Sequence, residues 1–327
     1  MTEIFWDAMV ASVGPVAAAY ALAAIGLNLQ FGYAGLLNFG HVGFMLAGAY
    51  GLAITVESGG SFWLGIPIGV LAAVTLGALL GGPTLRLRAD YLAIVTISAG
   101  EILRLVVRSG WAEPVTNGVF GIRQFANPFF DLNPFEANER YGVGRFVFQG
   151  RQLWVVVVGW ILVLLATALI WRLVHSPWGR ALRGVRDDED AVRSLGKNVF
   201  LLKLQSLMLG GALAGVAGML LVIEQQNATT DSFLPQVTFF LFVMVILGGA
   251  GTLWGPVVGA AAFQFILFFF DGLMSDAQQR GWLGSSINST DAQQIKLVMV
   301  GVGLMLIMTL RPQGVFGKRD EQRVGDT

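Results

Sequence analysis

The chain has 327 residues, of which 55% are hydrophobic and 13% charged, and its 21 Lys and Arg balance 21 Asp and Glu. This composition excludes an ordinary soluble domain and indicates a polytopic membrane protein. Zero net charge argues against a nucleic-acid partner, and the lack of cysteine with only two histidines, His41 and His175, argues against disulfides and a metal centre.

Several apolar stretches approach the roughly 20 residues that a helix needs to cross a hydrocarbon core of about 30 Å. Together they predict an all-α protein of about eight or nine transmembrane helices, forming a single domain over residues 1–327. Acidic Glu3 and Asp7 stand where a secretory signal would be positive, so we expect Met1 to begin the mature chain. The predicted spans are Met9–Gln30, Leu36–Val56, Phe62–Leu80, Tyr91–Val107, Leu153–Trp171, Leu204–Ile223 and Ile295–Leu310.

Polar residues interrupt the first two spans. They are expected either to hold a broken helix open beside a pathway, or to form hydrogen bonds between helices. Both interpretations fit the sequence. The residues are Asn28, Gln30, Asn38 and His41.

A charged pair lies inside the fourth predicted span. Glu101 and Arg104 are three residues apart on one helix face, where ionisable groups are costly and usually face protein or water. They could line a translocation path, or they could form an ion pair that satisfies itself. Glu224 and Asp271 are expected to face water at the ends of spans.

The longest segment between spans, residues 109–151, is predicted to be an extracytoplasmic loop that could cover the mouth of the bundle. Glycines four residues apart on the spans favour close helix contacts in lipid. These pairs are Gly65 with Gly69, Gly77 with Gly81, Gly211 with Gly215, and Gly255 with Gly259.

Residues 172–203 form the main polar interruption, and their pattern predicts two short helices on a membrane surface. The first begins at Pro177, and its apolar residues recur at spacings of three and four. The second covers 189–195 and should end at Gly196. Such a helix pair is a candidate docking surface, and the alternative interpretation is a solvated cytoplasmic loop.

The stretch 237–270 is too long for a single crossing, since as one helix it would measure about 51 Å. A glycine cluster divides it, so we expect a broken hairpin, either re-entrant or made of two short spans. The expected hinge residues are Gly248, Gly249, Gly251, Gly255 and Pro256.

The distribution of Lys and Arg predicts the orientation. With the N-terminus outside, most of the 21 basic residues fall in the segment after Leu80, in 172–203 and in the tail 311–327, which then lie in the cytoplasm. This places the C-terminus on the cytoplasmic side of a bacterial-type plasma membrane.

The sequence shows no catalytic or cofactor motif. Gly196-Lys197 lacks the remaining residues of a phosphate-binding loop, and the glycines near Gly248 lack the spacing of a dinucleotide-binding turn. We therefore expect no cofactor and no enzymatic activity, and any ATPase must be a separate chain.

Five ordered motifs resemble the branched-chain amino-acid permeases of ABC importers, in particular their LivM-type subunits. The first run is LNLQFGYAGLLNFGH, followed by GAY. Next come DYLAIVT, EILR, TNG and GI. SPWGRALR and RDDE precede DAVRSLG, which is similar to the EAA-type loop that contacts ATPases in ABC permeases, although it has Asp for Glu and Val for Ala. The last run is GGAGTLWGP. These motifs begin at Leu27, Asp90, Ser176, Asp190 and Gly248.

The resemblance implies a permease that works by alternating access. Its implied partners are a second homologous permease, two ATP-binding subunits, an extracytoplasmic substrate-binding protein and the lipid bilayer. The implied ATPase-coupling residues are Arg180, Arg183, Arg186, Asp187, Glu189, Asp190, Ala191 and Gly196. The candidate translocation path comprises Asn38, His41, Glu101, Arg104, Thr116 and Asn117.

The implied substrate is a branched-chain or other hydrophobic amino acid. A sister group that carries urea and short amides shares the same motifs. From other classes, an ion-coupled secondary transporter would require a membrane-buried acid, for which Glu101 is the candidate, and a passive channel would conduct without partners.

Overall fold

The computed structural model describes residues 2–85, 87, 89–137 and 139–279, together with residues 301, 302, 305 and 316. The described residues form a helical bundle with two small two-stranded sheets. The helices are α1 (Thr2–Ser12), α2 (Pro15–Asn28), α3 (His41–Glu57), α4 (Phe62–Thr84), α5 (Ala89–Arg108), α6 (Glu113–Thr116), α7 (Asn127–Phe130), α8 (Gly150–His175), α9 (Pro177–Asp187), α10 (Glu189–Ser194), α11 (Val199–Gln225), α12 (Pro235–Gly248) and α13 (Gly255–Gln279).

The first span begins later than predicted. Gly14 has an extended backbone, and Pro15 occupies the first turn of α2. Proline is tolerated there because N–H groups in the first turn have no acceptor within the helix. Thus α1 is a separate helix, which packs along α13. At its other end α2 continues into a π-helical turn, Leu29–Tyr33.

The second predicted span was wrong at its start. Leu36 to Gly40 is not helical, and α3 begins only at His41. Gly35 has φ of 69°, which interrupts regular helix and favours glycine. We call residues 29–40, which include the π-turn, the first break.

The remaining helix predictions within the described residues were confirmed, with shifts of a few residues at their ends. The stretch 237–270 is divided as expected: α12 ends at Gly248 and α13 begins at Gly255. We call the connecting residues 249–254 the second break. The predicted span Ile295–Leu310 falls outside the described residues, except at 301, 302 and 305.

Helix α11 lies at the centre and packs against α2, α3 and α4. Glycines allow these backbones to touch: a Cβ on Gly48 would overlap the backbone of Gly215, and a Cβ on Gly218 would overlap the Met45 carbonyl. The predicted close packing through small residues is therefore confirmed, and it extends beyond the pairs spaced by four.

The two ends of the bundle carry different structures. At the loop end, residues 109–149 contain the β2–β3 hairpin (Arg140–Val143 with Phe146–Gln149), and β1 (Ile122–Arg123) pairs with β4 (Asn227–Ala228) after α11. At the α9 end, the α9–α10 pair connects α8 to α11.

Five described helical segments are long and apolar enough to cross a membrane. The shorter apolar helices α3 and α12 accompany them. The candidate spans are Pro15–Tyr33, Phe62–Thr84, Gly150–His175, Val199–Gln225 and Gly255–Gln278.

Gly218→Ala should destabilise the protein in detergent by about 1–3 kcal/mol, because the added methyl overlaps the α3 backbone, which cannot move aside easily. Gly82→Ala is the matched control, since a Cβ there meets nothing within 4 Å. Because alanine favours helix more than glycine does, this variant should be as stable as the wild type or slightly more stable. Thermal unfolding of the two purified variants tests this. Equal melting temperatures would contradict the packing argument.

Candidate functional site

The α9–α10 pair forms as its sequence predicts. The Ser176 hydroxyl accepts the Gly179 N–H at 3.4 Å and starts α9 together with Pro177. The Asp188 carboxylate accepts the N–H groups of Asp190 and Ala191, at 2.9 and 3.0 Å, and starts α10. Beyond α10, Gly196 has φ of 74°, as expected of a residue that follows a helix end.

Side chains join this pair to the start of α11. Trp178 Nε1 donates to Gln205 Oε1 at 2.8 Å, and Glu189 pairs with Lys203. Between these contacts lies a small apolar cluster, formed by Val185, Val192 and Val199. The pair is therefore fixed to α11 by packing and by polar contacts.

The three arginines of α9 all contact the chain's own backbone. Arg180 Nη1 donates to the His175 carbonyl at 3.3 Å, and Arg183 Nη2 donates to the Val174 carbonyl at 2.9 Å. Both carbonyls belong to the last turn of α8, where backbone C=O groups have no N–H donor within the helix. Arg186 Nη1 instead donates to the carbonyl of Gly32 in the first break.

The opposite face of the pair is exposed. Leu195 is 78% exposed, and Asp187, Ala191 and Gly196 beside it are also exposed. Asp190 pairs with Arg193 at 2.8 Å in solvent, where such a pair adds little stability. Leu195 is thus a large apolar side chain that is exposed outside the apolar spans.

The glycine-rich second break is held by a side chain from another helix. Gly249 and Gly251 have φ of 109° and 75°, which glycine tolerates without strain. Asn28, at the end of α2, accepts the Gly251 N–H at 2.8 Å and donates to the Thr252 carbonyl at 2.9 Å. The end of α2, next to the first break, is thus joined to the second break by two hydrogen bonds.

Gln30 is the centre of a buried polar cluster. Its Nε2 donates to the Leu207 carbonyl of α11 at 3.1 Å, and its Oε1 accepts from Asn38 Nδ2 at 2.9 Å. His41 Nδ1 lies 3.2 Å from the same Oε1, and His41 Nε2 lies 3.0 Å from the Ala23 carbonyl. Gln30 and His41 thus form hydrogen bonds between helices, whereas Asn28 binds the backbone of the second break, so each interpretation describes part of this set.

Glu101 and Arg104 form the ion pair that their spacing predicts. Arg104 Nε and Nη2 donate to the two carboxylate oxygens at 2.8 and 2.6 Å. The Arg104 side chain is 9% exposed and that of Glu101 33%. Among the described residues, Arg104 Nη1 finds no hydrogen-bond partner although it is buried.

Thr116 and Asn117 lie apart from the other predicted path residues, at the loop end. The Thr116 hydroxyl donates to the carbonyls of Val107 and Ala112, and Asn117, with φ of 59°, donates to the Gly121 carbonyl at 3.0 Å. Both side chains stabilise the turn that follows α5.

A cavity of about 780 Å³ opens at the α9 end, where residues of the first break, of α10 and of the start of α11 come close. Its lining includes Gly35, Leu36, Leu85, Leu92, Glu189 and Lys203. Within the described part of the chain, no group of three or more His, Asp or Glu residues is placed to bind a metal ion.

Residues 9–309 match the model of a family described as "Branched-chain amino acid transport system / permease component". The chain belongs to this family. It is 34% identical to the high-affinity branched-chain amino acid transport system permease protein LivM of Escherichia coli, over 90% of this chain and 67% of that protein. It is 26% identical to a probable LivM of Methanocaldococcus jannaschii, over 92% and 91%, and 25% identical to Escherichia coli LivH, over 93% of each chain.

Family membership makes the chain a multi-pass helical membrane permease, a transport component rather than an enzyme. It confirms the resemblance found from the motifs. Sequence reasoning missed the inward contact of Arg186 and the role of Gly32 beside it. The run of glycines at 32, 35 and 40, next to polar side chains, was the available signal of a break.

Gln30→Leu should destabilise the permease more than Gln152→Leu, its exposed counterpart on α8. The buried change leaves the Asn38 amide without its acceptor, at about 1–3 kcal/mol, and removes a second donor from the Leu207 carbonyl, which keeps its helical partner in α11. Thermal unfolding and membrane yield of both variants measure the difference. Similar losses in the two would show that the cluster is not a structural support.

Proposed function

We propose that this permease is one transmembrane half of an ATP-driven ABC importer for branched-chain or other hydrophobic amino acids. Its proposed partners are a second homologous permease, two ATP-binding subunits and an extracytoplasmic substrate-binding protein. Similarity to both LivM and LivH, which are named as permeases of one kind of transport system, supports pairing with a related permease. The substrate class follows the relatives' names, and urea or short amides remain the alternative.

The exposed face of the α9–α10 pair carries the proposal. It offers Leu195 and Ala191 on a short helix whose other side is packed against α11. A rigid helix with an apolar contact and flanking charges suits docking into a groove of an ATPase. Glu189 would then support this surface from within, through its ion pair with Lys203 of α11.

Leu195→Arg should abolish co-purification of an ATPase, because it places a charge at the centre of the proposed contact. Leu132→Arg, at a 58% exposed leucine in the loop-end segment, is the control. Both variants are extracted from native membranes in mild detergent, and the bound chains are identified by mass. Equal ATPase recovery with both variants would refute docking at α10.

The proposed topology has eight or nine crossings, with the N-terminus and residues 109–151 outside, and 172–203 and the tail 311–327 in the cytoplasm of a bacterial-type cell. The order of connections supports this topology. Residues 109–149 join α5 to α8 at the loop end, and the α9–α10 pair joins α8 to α11 at the opposite end, so successive spans run in alternating directions. Phe316 donates its N–H to the Gly248 carbonyl at 3.1 Å, so residue 316 lies beside the second break. This contact supports a tail on the same side as α9.

Helix α5 is the proposed wall of the translocation path. Apolar residues along it, such as Ile94, Ile102 and Leu105, are exposed, and a partly exposed Glu101 lies among them. A carboxylate facing lipid is costly, so this face requires protein or water beside it. The second permease would supply that cover.

The double change Glu101→Gln with Arg104→Gln should reduce uptake at least tenfold, because it removes both charges on the path while leaving a polar side chain at each position. The control neutralises the ion pair at the end of α5, Arg108→Gln with Asp231→Asn, which is exposed and should retain uptake. Uptake is normalised to protein in the membrane. A loss of uptake that only matches the loss of protein would support a structural role for the Glu101–Arg104 pair.

An ion-coupled mechanism is less well supported. Such a transporter would need a carboxylate able to bind and release a cation, whereas both oxygens of Glu101 are engaged by Arg104. The arginine would have to withdraw in every cycle.

A further inference from the structure

Arg186 binds the first break of the bundle and lies beside the second. Its Nη1 donates to the Gly32 carbonyl in the first break. A Cβ added to Gly251, in the second break, would lie 2.9 Å from the same Nη1 and 3.1 Å from the Gly32 oxygen. The guanidinium therefore lies where the two breaks meet.

Glycines make this meeting possible. A Cβ on Gly32 would overlap Asn28 Oδ1 and the Gly251 nitrogen, and a Cβ on Gly35 would lie 3.3 Å from Arg186 Cγ. Gly35 and Gly251 also have positive φ, at 69° and 75°. Only residues without side chains allow the arginine and both backbones to approach this closely.

Asn28 completes the junction. Its side chain binds Gly251 and Thr252 through two hydrogen bonds, so the second break cannot shift relative to the end of α2 without losing both. Arg186 adds the link to α9. A movement of α9 would thus pull on both breaks together.

We propose that Arg186 is a positioning residue that transmits movement of α9 to both breaks, so that the π-turn of α2 and the α12–α13 turn shift as one unit. The inference rests on the proposed function, in which α9 and α10 receive the movement of the ATPase. The other two arginines of α9 cannot take this role, because they bind carbonyls at the end of α8.

The absence of cysteine from this chain allows a direct test. Trp254→Cys, at a 48% exposed position in the second break, is labelled with an environment-sensitive fluorophore in the assembled transporter, and an assembly with the cysteine-free chain gives the background. A non-hydrolysable ATP analogue should change the fluorescence. Arg186→Ala should abolish that change, whereas Arg172→Ala, at an exposed arginine on α8, should retain it.

Uptake per ATP hydrolysed provides a measurement without a label. Arg186→Ala should lower this ratio at least tenfold with normal ATPase recovery, whereas Arg186→Lys, which keeps a donor for the Gly32 carbonyl, should give an intermediate ratio. If Arg186→Ala fails to assemble, Gly251→Ala is the second variant. Its added Cβ would lie too close to Arg186 Nη1, so it should disturb the junction and show the same uncoupling.

The outcomes separate this inference from the proposed function. An Arg186→Ala transporter that recovers its ATPase and keeps both the fluorescence change and the uptake ratio overturns the relay alone. Wild-type protein that recovers no ATPase overturns the proposed function itself.

Discussion

Backbone that is not helical must find hydrogen-bond partners when it lies within a membrane-spanning bundle, and this requirement governs the structure around both breaks. Asn28 supplies partners to the second break, while the Asn38 side chain accepts the Gly40 N–H in the first. Arg186 provides a further donor from α9. The polar residues that stand out in an otherwise apolar sequence therefore supply hydrogen bonds that the interrupted backbone needs inside the bundle.

Close packing around α11 depends on a second feature, the placement of glycine where helices cross. Gly210 and Gly26 face each other, as do Gly215 and Gly48. In a bilayer, an apolar helix face contacts lipid tails as favourably as it contacts another helix. Close backbone contact and van der Waals packing must therefore supply the association between helices. This explains why a chain with 43 glycines still forms long regular helices.

Much of the helical architecture could be predicted from hydropathy, because span length and apolar runs are local properties. The α9–α10 pair and the division at Gly248 were also predictable, since capping residues and glycine clusters act locally. The start of α3 was not, because Leu36–Gly40 is apolar enough to be helical and is held open by contacts with distant residues. The partner of Arg186 lies 154 positions away, which no spacing rule could reveal.

The direct contact from the α9–α10 pair to the first break runs through Arg186 to Gly32. Gln30 anchors the same break to α11, where it binds the Leu207 carbonyl. Because α3 starts at the end of this break, a shift there must change how α3 meets α11 and α12, where Val42 binds Thr238. In the proposed transporter, the first break is thus the place where displacement of a surface helix becomes rearrangement of the spans.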